Sequence, residues 1–253
     1  MSYINKNNYK ESIILAAGRG IRMRYKTKFI AKPLVKIQNK HILEVNLNKL
    51  KANGVKNCTI NTSYKHKTIK QFIKNFNYKN KFPLINATYE INRLETGGGI
   101  KNALPYFRED KILVINGDSL LINDKNSCPI NKLYSYFDAK KMDVLLLLCP
   151  IRFSIGYNGY GDYERCSNSL PFEINRRKES NKINLVFTGW QIIKKELFEK
   201  IKIHKFSLNL LFNEAEKKNR LYAINHVGSF LHVSTPKSIL QVESYLKNCN
   251  HTL

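Results

Sequence analysis

Acidic side chains are scarce in this chain: 19 Asp and Glu stand against 43 Lys and Arg, leaving a formal net charge of +24. Such an excess attracts phosphate-bearing partners, yet the basic residues are spread along the whole length among abundant Asn and Ile. No helix-turn-helix, RNA-recognition signature or clustered aromatic–basic platform accompanies them, which argues against a specific nucleic-acid binder. Long hydrophobic runs are missing as well. The longest, Val144 to Cys149, falls far short of the roughly 20 residues that span a bilayer, and the N-terminal MSYINKNNYKES lacks the apolar core of a signal peptide. A cytoplasmic protein without membrane insertion is expected. The five cysteines (Cys58, Cys128, Cys149, Cys166 and Cys249) form no C-x-x-C, and no His pair stands at metal-ligand spacing, so reduced structural thiols are expected. Internal repeats and low-complexity linkers are absent too.

What is present is an ordinary globular composition, 43% hydrophobic and 25% charged over 253 residues, enough for one sizeable core. One domain, residues 1–253, is expected. Apolar strand-like runs alternate with amphipathic segments: Ser12 to Ala17 then Ile42 to Leu50, Asn57 to Asn61 then Thr68 to Phe76, Pro83 to Tyr89 then Ile100 to Phe107, Lys111 to Asn116 then Asn131 to Lys140, and finally Asp143 to Cys149. Strands apolar on both faces, separated by helices, predict a mostly parallel sheet covered on each side. From 152 to 184 the pattern changes to glycine, tyrosine and charge, as in GYNGYGDYE and EINRRKES, which predicts a small loop-rich or antiparallel lobe. Alternation returns with a strand at Leu185 to Ile193, helices near Lys194 to Lys200 and Ser207 to Lys218, a strand at Leu221 to Val227 and a last helix opened by Pro236.

Ligands of such sheets sit at the carboxyl ends of the strands, and two motifs fall there. The first, LAAGRGIRM, lacks both the third glycine of the dinucleotide fingerprint and the Gly-Lys-Ser/Thr ending of a P-loop. What remains is a strand ending in Gly18 and Gly20, whose bare backbone can approach phosphate oxygens, followed by Arg22 and Lys32 as fixed positive charges. That set suits a triphosphate; a plain turn with surface basics is the alternative. The second, ILVINGDSL, presents Asp118 at the open edge, where a carboxylate among phosphates reads as a Mg²⁺ ligand or else as a simple turn residue. Between them LETGGGI places three glycines before a helix. Bare backbone there can lie flat on a nucleobase while Glu95 and Thr96 offer hydrogen bonds; a glycine hinge would also explain the triplet.

Together LAAGRGIRM…AKPLV, ETGGGI, NGD and FTG resemble the sugar-1-phosphate nucleotidyltransferase family over nearly the whole chain, and LETGGGIKNALP, GDY and VFTGWQII most resemble its N-acetylmuramate-1-phosphate uridylyltransferase branch. The resemblance implies an α/β mononucleotide-binding three-layer sandwich that joins a nucleoside triphosphate, UTP, to a sugar 1-phosphate and releases pyrophosphate. It implies that Ala16, Gly18, Gly20 and Arg22 cradle the triphosphate, that Lys32 lies on the α-phosphate or the incoming phosphate, and that Asn61, Thr96, Gly97 and Gly98 meet the base. Asp118 would bind Mg²⁺, and Gly161, Asp162 and Thr188 would line a sugar pocket in the 152–184 lobe and beside it. One departure matters: where the family ends on an aspartate as second metal ligand, this chain has GSFLHVSTP, with His232. Imidazole suits Mn²⁺ or Co²⁺ better than Mg²⁺. Two alternatives stay open: His232 is an ordinary strand residue and the protein is a non-catalytic nucleotide or sugar-nucleotide binder, or the enzyme is a guanylyl- or thymidylyltransferase for another sugar.

Overall fold

The computed structural model describes residues 10–123, 128–177 and 183–253. The chain opens with β1 (Lys10–Leu15), two 3-10 turns (Ile21–Thr27 and Lys32–Leu34) and a small ribbon, β2 (Lys36–Ile37) and β3 (Lys40–His41). Three strand–helix pairs follow: α1 (Ile42–Ala52) and β4 (Val55–Thr62), α2 (His66–Lys79) and β5 (Leu84–Tyr89), α3 (Glu95–Asn102) and β6 (Lys111–Asn116). Next come β7 (Ser119–Asn123), α4 (Pro129–Tyr136), β8 (Val144–Pro150) and β9 (Ser154–Ile155). The remainder is β10 (Tyr163–Arg165), β11 (Phe172–Arg176), β12 (Leu185–Lys194), α5 (Glu196–Glu199), α6 (Asn209–Lys217), β13 (Leu221–Asn225), β14 (Gly228–His232) and α7 (Pro236–Asn248).

Nine strands form one sheet in the order β10-β11-β13-β8-β12-β6-β1-β4-β5. Most run the same way, as the sequence predicts, but β12 is antiparallel to both β6 and β8, and β11 is antiparallel to β13. The sheet is therefore mixed. Its two-sided burial follows from the apolar runs: Ile14, Leu113, Leu145 and Leu147 face α1, α2 and α4, while their neighbours Ile13, Val114, Val144 and Leu146 face α3, α5 and α6. With a side-chain period of two, every such strand contributes to both cores. A three-stranded sheet, β7-β14-β9, lies apart and is covered by α7. That helix starts on a capping box in which Thr235 accepts from Ser238 N and Ser238 accepts from Thr235 N, with Pro236 in its first turn.

Local expectations needing correction lie at helix starts. The predicted helix at Ile100 to Phe107 instead begins at Glu95 and takes the three glycines into its first turns. In the 152–184 segment, β10 and β11 form an antiparallel pair that extends the edge of the main sheet; residues 178–182, which include the last three of EINRRKES, lie outside the described residues. Among the described residues no helix is long and apolar enough to cross a membrane.

At the sheet's far end Asp143, just before β8, takes Arg220 Nε at 2.8 Å and Lys194 Nζ at 3.0 Å, tying β8, β12 and β13 together. Burial alone would raise the pKa of Asp143, but these two cations outweigh it and hold it below the ordinary carboxylate value. A depressed folded pKa stabilises the fold above the unfolded value of about 3.9, and the gain is lost as pH falls through the folded pKa. Asp143→Asn is therefore expected to melt about 2–4 °C below the parent at pH 7, the scale of roughly 1 kcal/mol in a chain of this size. Calorimetric melts from pH 7 to pH 3 check this: the gap should close as the pH drops.

Candidate active site

A cleft of about 400 Å³ crosses the carboxyl ends of β6, β1, β4 and β5. Its wall comprises Leu15 to Arg22, Lys32, Pro33, Asn61, Arg93, Glu95, Thr96 and Asn116 to Asp118. With about 4.8 Å between neighbouring strands, the three spacings from β6 to β5 make it roughly 14 Å long.

The loop after β1 is shaped for an anion. Gly20 adopts φ +64° at the entrance to the first 3-10 turn, a left-handed conformation that glycine takes without strain, and its carbonyl accepts from Met23 N and Thr27 Oγ1. No protein acceptor among the described residues takes the amides of Gly18, Arg19 or Gly20, and a Cβ at Gly18 would meet nothing within 4 Å. Three adjacent, unused N–H groups beside the exposed Arg19 and Arg22 make a receptor for phosphate oxygens. Ala16 lines the cleft too, but its amide is spent on Asn61 Oδ1 at 2.8 Å.

Asp118 ends the β6 turn. Gly117 permits that turn because a Cβ there would come within 2.5 Å of Leu15 O. Lys32 Nζ lies 2.5 Å from Asp118 Oδ2, so an ammonium occupies the carboxylate. Burial alone would raise the Asp118 pKa, yet the Lys32 charge and hydrogen bond, helped by His232, hold it below the ordinary value. The antiparallel pairing of β7 and β14 sets His232 opposite Ser119, one residue from Asp118. Its ring stands between those of Tyr157 and Phe230, with centroids 5.9 and 5.8 Å away, and its Nδ1 is buried without a hydrogen-bond partner. Burial depresses the His232 pKa, Asp118 opposes this, and Lys32 and Arg22 reinforce the depression. Among the described residues no three His, Cys, Asp or Glu side chains gather at metal-ligand spacing. A divalent ion held by Asp118 and His232 would need substrate oxygens for its remaining ligands, an arrangement usual for Mg²⁺, and His232 itself is not part of the cleft wall.

Other expected residues have different surroundings. Gly97 and Gly98 do not line the cleft: their amides donate to Phe206 O, and Cβ atoms there would strike the Phe206 ring at 2.3 Å and His204 O at 2.2 Å. These glycines let the 204–206 segment close on α3. Asn61 lines the cleft with its amide committed, Oδ1 to Ala16 N and Nδ2 to Glu90 Oε1; Glu90, unnoticed in the sequence, is the brace behind it. Thr96 accepts from Leu208 N. Thr188 is buried, donating to Leu147 O and receiving Ser119 Oγ on its carbonyl. Gly161 sits at φ +85° against Ile183 O, and Asp162 is held by Phe187 N and Tyr157 OH. Neither Gly161, Asp162 nor Thr188 reaches the cleft wall, although the Asp162 charge is felt at His232.

A mixed sheet with a glycine loop, a lysine and a carboxylate converging at its strand ends defines a phosphate-handling α/β enzyme. A family model described as nucleotidyl transferase matches residues 11–161, and the chain belongs to that family, in its sugar-1-phosphate nucleotidyltransferase group. It is 30% identical over 239 residues to an N-acetylmuramate α-1-phosphate uridylyltransferase of Caulobacter vibrioides, covering 94% of this chain and 97% of that one. It is 28% identical to a D-glycero-α-D-manno-heptose 1-phosphate guanylyltransferase of Aneurinibacillus thermoaerophilus, covering 94% and 99%. Among solved structures, UDP-glucose pyrophosphorylase complexed with UDP-glucose superposes with a TM-score of 0.76 at 17% identity, covering 95% of this chain and 99% of that one.

The two kinds of glycine separate in an experiment. Gly98→Ala should cost about 1–3 kcal/mol, the scale of overpacking, because backbone blocks its Cβ. Gly18→Ala has open space, so its melting temperature should match the parent while triphosphate affinity falls. Thermal melts and nucleotide calorimetry on both variants check the contrast.

Proposed function

We propose that the chain transfers a uridylyl group from UTP to N-acetylmuramate 1-phosphate. An oxygen of the sugar phosphate attacks the α-phosphorus in line, the bond from the α-phosphorus to its bridging oxygen breaks, and pyrophosphate leaves with that oxygen. The attacking phosphate is already ionised, so catalysis consists of positioning and charge neutralisation. The observation that carries the reading is the cleft's own chemistry: unused amides at Gly18, Arg19 and Gly20, with Arg22 and Lys32 beside them and Asp118 opposite.

On this reading the amides and Arg22 hold the β- and γ-phosphates, and Lys32 releases Asp118 to lie on the α-phosphate. Asp118 and His232 would hold a divalent cation, Mg²⁺ or the softer Mn²⁺ or Co²⁺, which neutralises charge on the transferring phosphate and pyrophosphate. UTP and the muramate sugar are supported by LETGGGI and VFTGWQII together with the Caulobacter relative. Asp162 and its neighbours Gly161 and Thr188 would shape the sugar side from behind His232. A second reading, a nucleotide binder without turnover, is favoured by one fact, the absence of a three-ligand metal set among the described residues.

Pyrophosphate release over four nucleoside triphosphates and a panel of sugar 1-phosphates tests the proposal. UTP with the muramate sugar should lead; binding without release in every combination selects the second reading. Asp118→Asn keeps the side-chain shape and should lower turnover on the order of 10²-fold or more with the fold intact. His232→Asp should raise Mg²⁺-supported activity, and His232→Ala should weaken metal dependence. Superimposable metal titrations of the three proteins would remove His232 from the metal site.

A further inference from the structure

The nine-stranded sheet ends on β5, which pairs with β4 alone. One side of its backbone is therefore without a neighbouring strand. Glu90 N donates to Thr62 O, which sets the alternation of the parallel ladder: Ile85, Ala87 and Tyr89 turn their N–H and C=O groups outward. Among the described residues only Ile85 O finds a partner there, Asn77 Nδ2 at 3.5 Å. A bare strand edge of this kind is a template for pairing with another chain.

A groove of about 610 Å³ follows this edge. Ile85, Asn86 and Ala87 of β5 line it together with side chains from both faces of the sheet: Lys67, Lys70 and Lys74 of α2 on one, and Tyr106 of the turn after α3 on the other. The lysines recur at i, i+3 and i+7, on one side of the helix. They span roughly 10 Å of it, about the length of three residues of extended chain. All three are exposed, and none forms an ion pair or hydrogen bond among the described residues. No acidic side chain lines the groove. It shares no lining residue with the cleft.

We infer that the β5 edge and the lysine row of α2 form a docking site for an acidic segment of another protein, bound as an added strand. The backbone of that segment pairs with Ile85, Ala87 and Tyr89. Every second side chain, an Asp or Glu, faces the lysines, and the others lie toward Tyr106. In such a mode main-chain bonds give the affinity and alternate side chains the selectivity. A second copy of this chain is a poor occupant: antiparallel pairing of two β5 edges sets both α2 helices on one face, lysine row against lysine row, between chains that each carry a formal +24. A nucleic acid would meet the lysines but has no strand to offer the outward amides.

Two short peptides of equal charge separate this docking from plain attraction to a basic surface. In one, Glu alternates with Thr; the other has the same sequence with every backbone nitrogen methylated, so it cannot join a ladder. Fluorescence anisotropy would follow both, and a labelled single-stranded DNA, against the parent and a variant combining Lys67→Ala, Lys70→Ala and Lys74→Ala, with amide hydrogen exchange read at β5. The unmodified peptide should bind the parent at least about tenfold tighter than the methylated one. The triple variant should melt with the parent and bind that peptide about tenfold more weakly, the scale of three exposed ion pairs. With the peptide bound, the Ala87 and Tyr89 amides should exchange more slowly. Equal affinity for the two peptides, or DNA bound more tightly than either with no protection at β5, would overturn the inference and leave a basic surface only. A triple variant that keeps the parent's affinity for the peptide and self-associates would overturn it too, making the lysines guards of the edge. So would a parent that binds neither peptide.

Discussion

One buried amide holds three strand ends together. Asn61, at the end of β4, takes Ala16 N from β1 on one side and gives Nδ2 to Glu90 on the other, while the second Glu90 oxygen takes Leu94 N after β5. All of these groups are withdrawn from bulk water, where an unpaired polar atom is costly, so each bond enforces the next. The phosphate loop leaves β1 immediately after Ala16, and α3 begins immediately after Leu94. Both walls of the cleft thus hang from the same side chain, and Gly99 allows it, since a Cβ there would meet Asn61 Nδ2 at 2.4 Å.

The scarcity of acid makes the disposition of each buried or half-buried carboxylate informative. Glu11 receives the amides of Arg108 and Glu109, Glu90 holds Asn61 and Leu94, Asp143 binds Arg220 and Lys194, and Asp118 binds Lys32. Three of these four fasten backbone or strands to one another. Asp118 is different because its partner, Lys32, lines the same cleft rather than fastening another strand. A half-buried pair of this kind contributes little net stability beside its desolvation cost, and its value lies in keeping the carboxylate ionised and in place.

Periodicity revealed what is local. The apolar run Lys111 to Asn116 is the strand β6 to the residue, and Gly18, Gly20, Lys32 and Asp118 stand on one cleft because strand ends in a parallel sheet converge. What it could not reveal depends on partners far along the chain. β14 pairs with β7 across more than a hundred residues, and only that pairing brings His232 beside Asp118. The bonds that commit Thr188 and Asn61 were not legible because the carbonyl and amide that satisfy them come from neighbouring strands. The glycine triplet read as an open platform because Phe206 and His204, which fill it, belong to an unstructured-looking stretch of sequence. Glu95 was visible as a hydrogen-bonding residue, but its left-handed backbone was not.

The place of β12 in the sheet bears on synthesis as well. β6 and β8 are made first and lie two positions apart, and the strand that fills the gap between them is completed only at Lys194. Until those residues leave the ribosome, the nascent chain carries two apolar strands each with an unpaired edge, the state most open to wrong pairing with another chain. Every residue of the cleft wall has been made by then, Asp118 being the last. The chain therefore spends an interval with the nucleotide grip already encoded and its sheet still divided, and a ligand that settles into that half early would act as a chaperone for the rest.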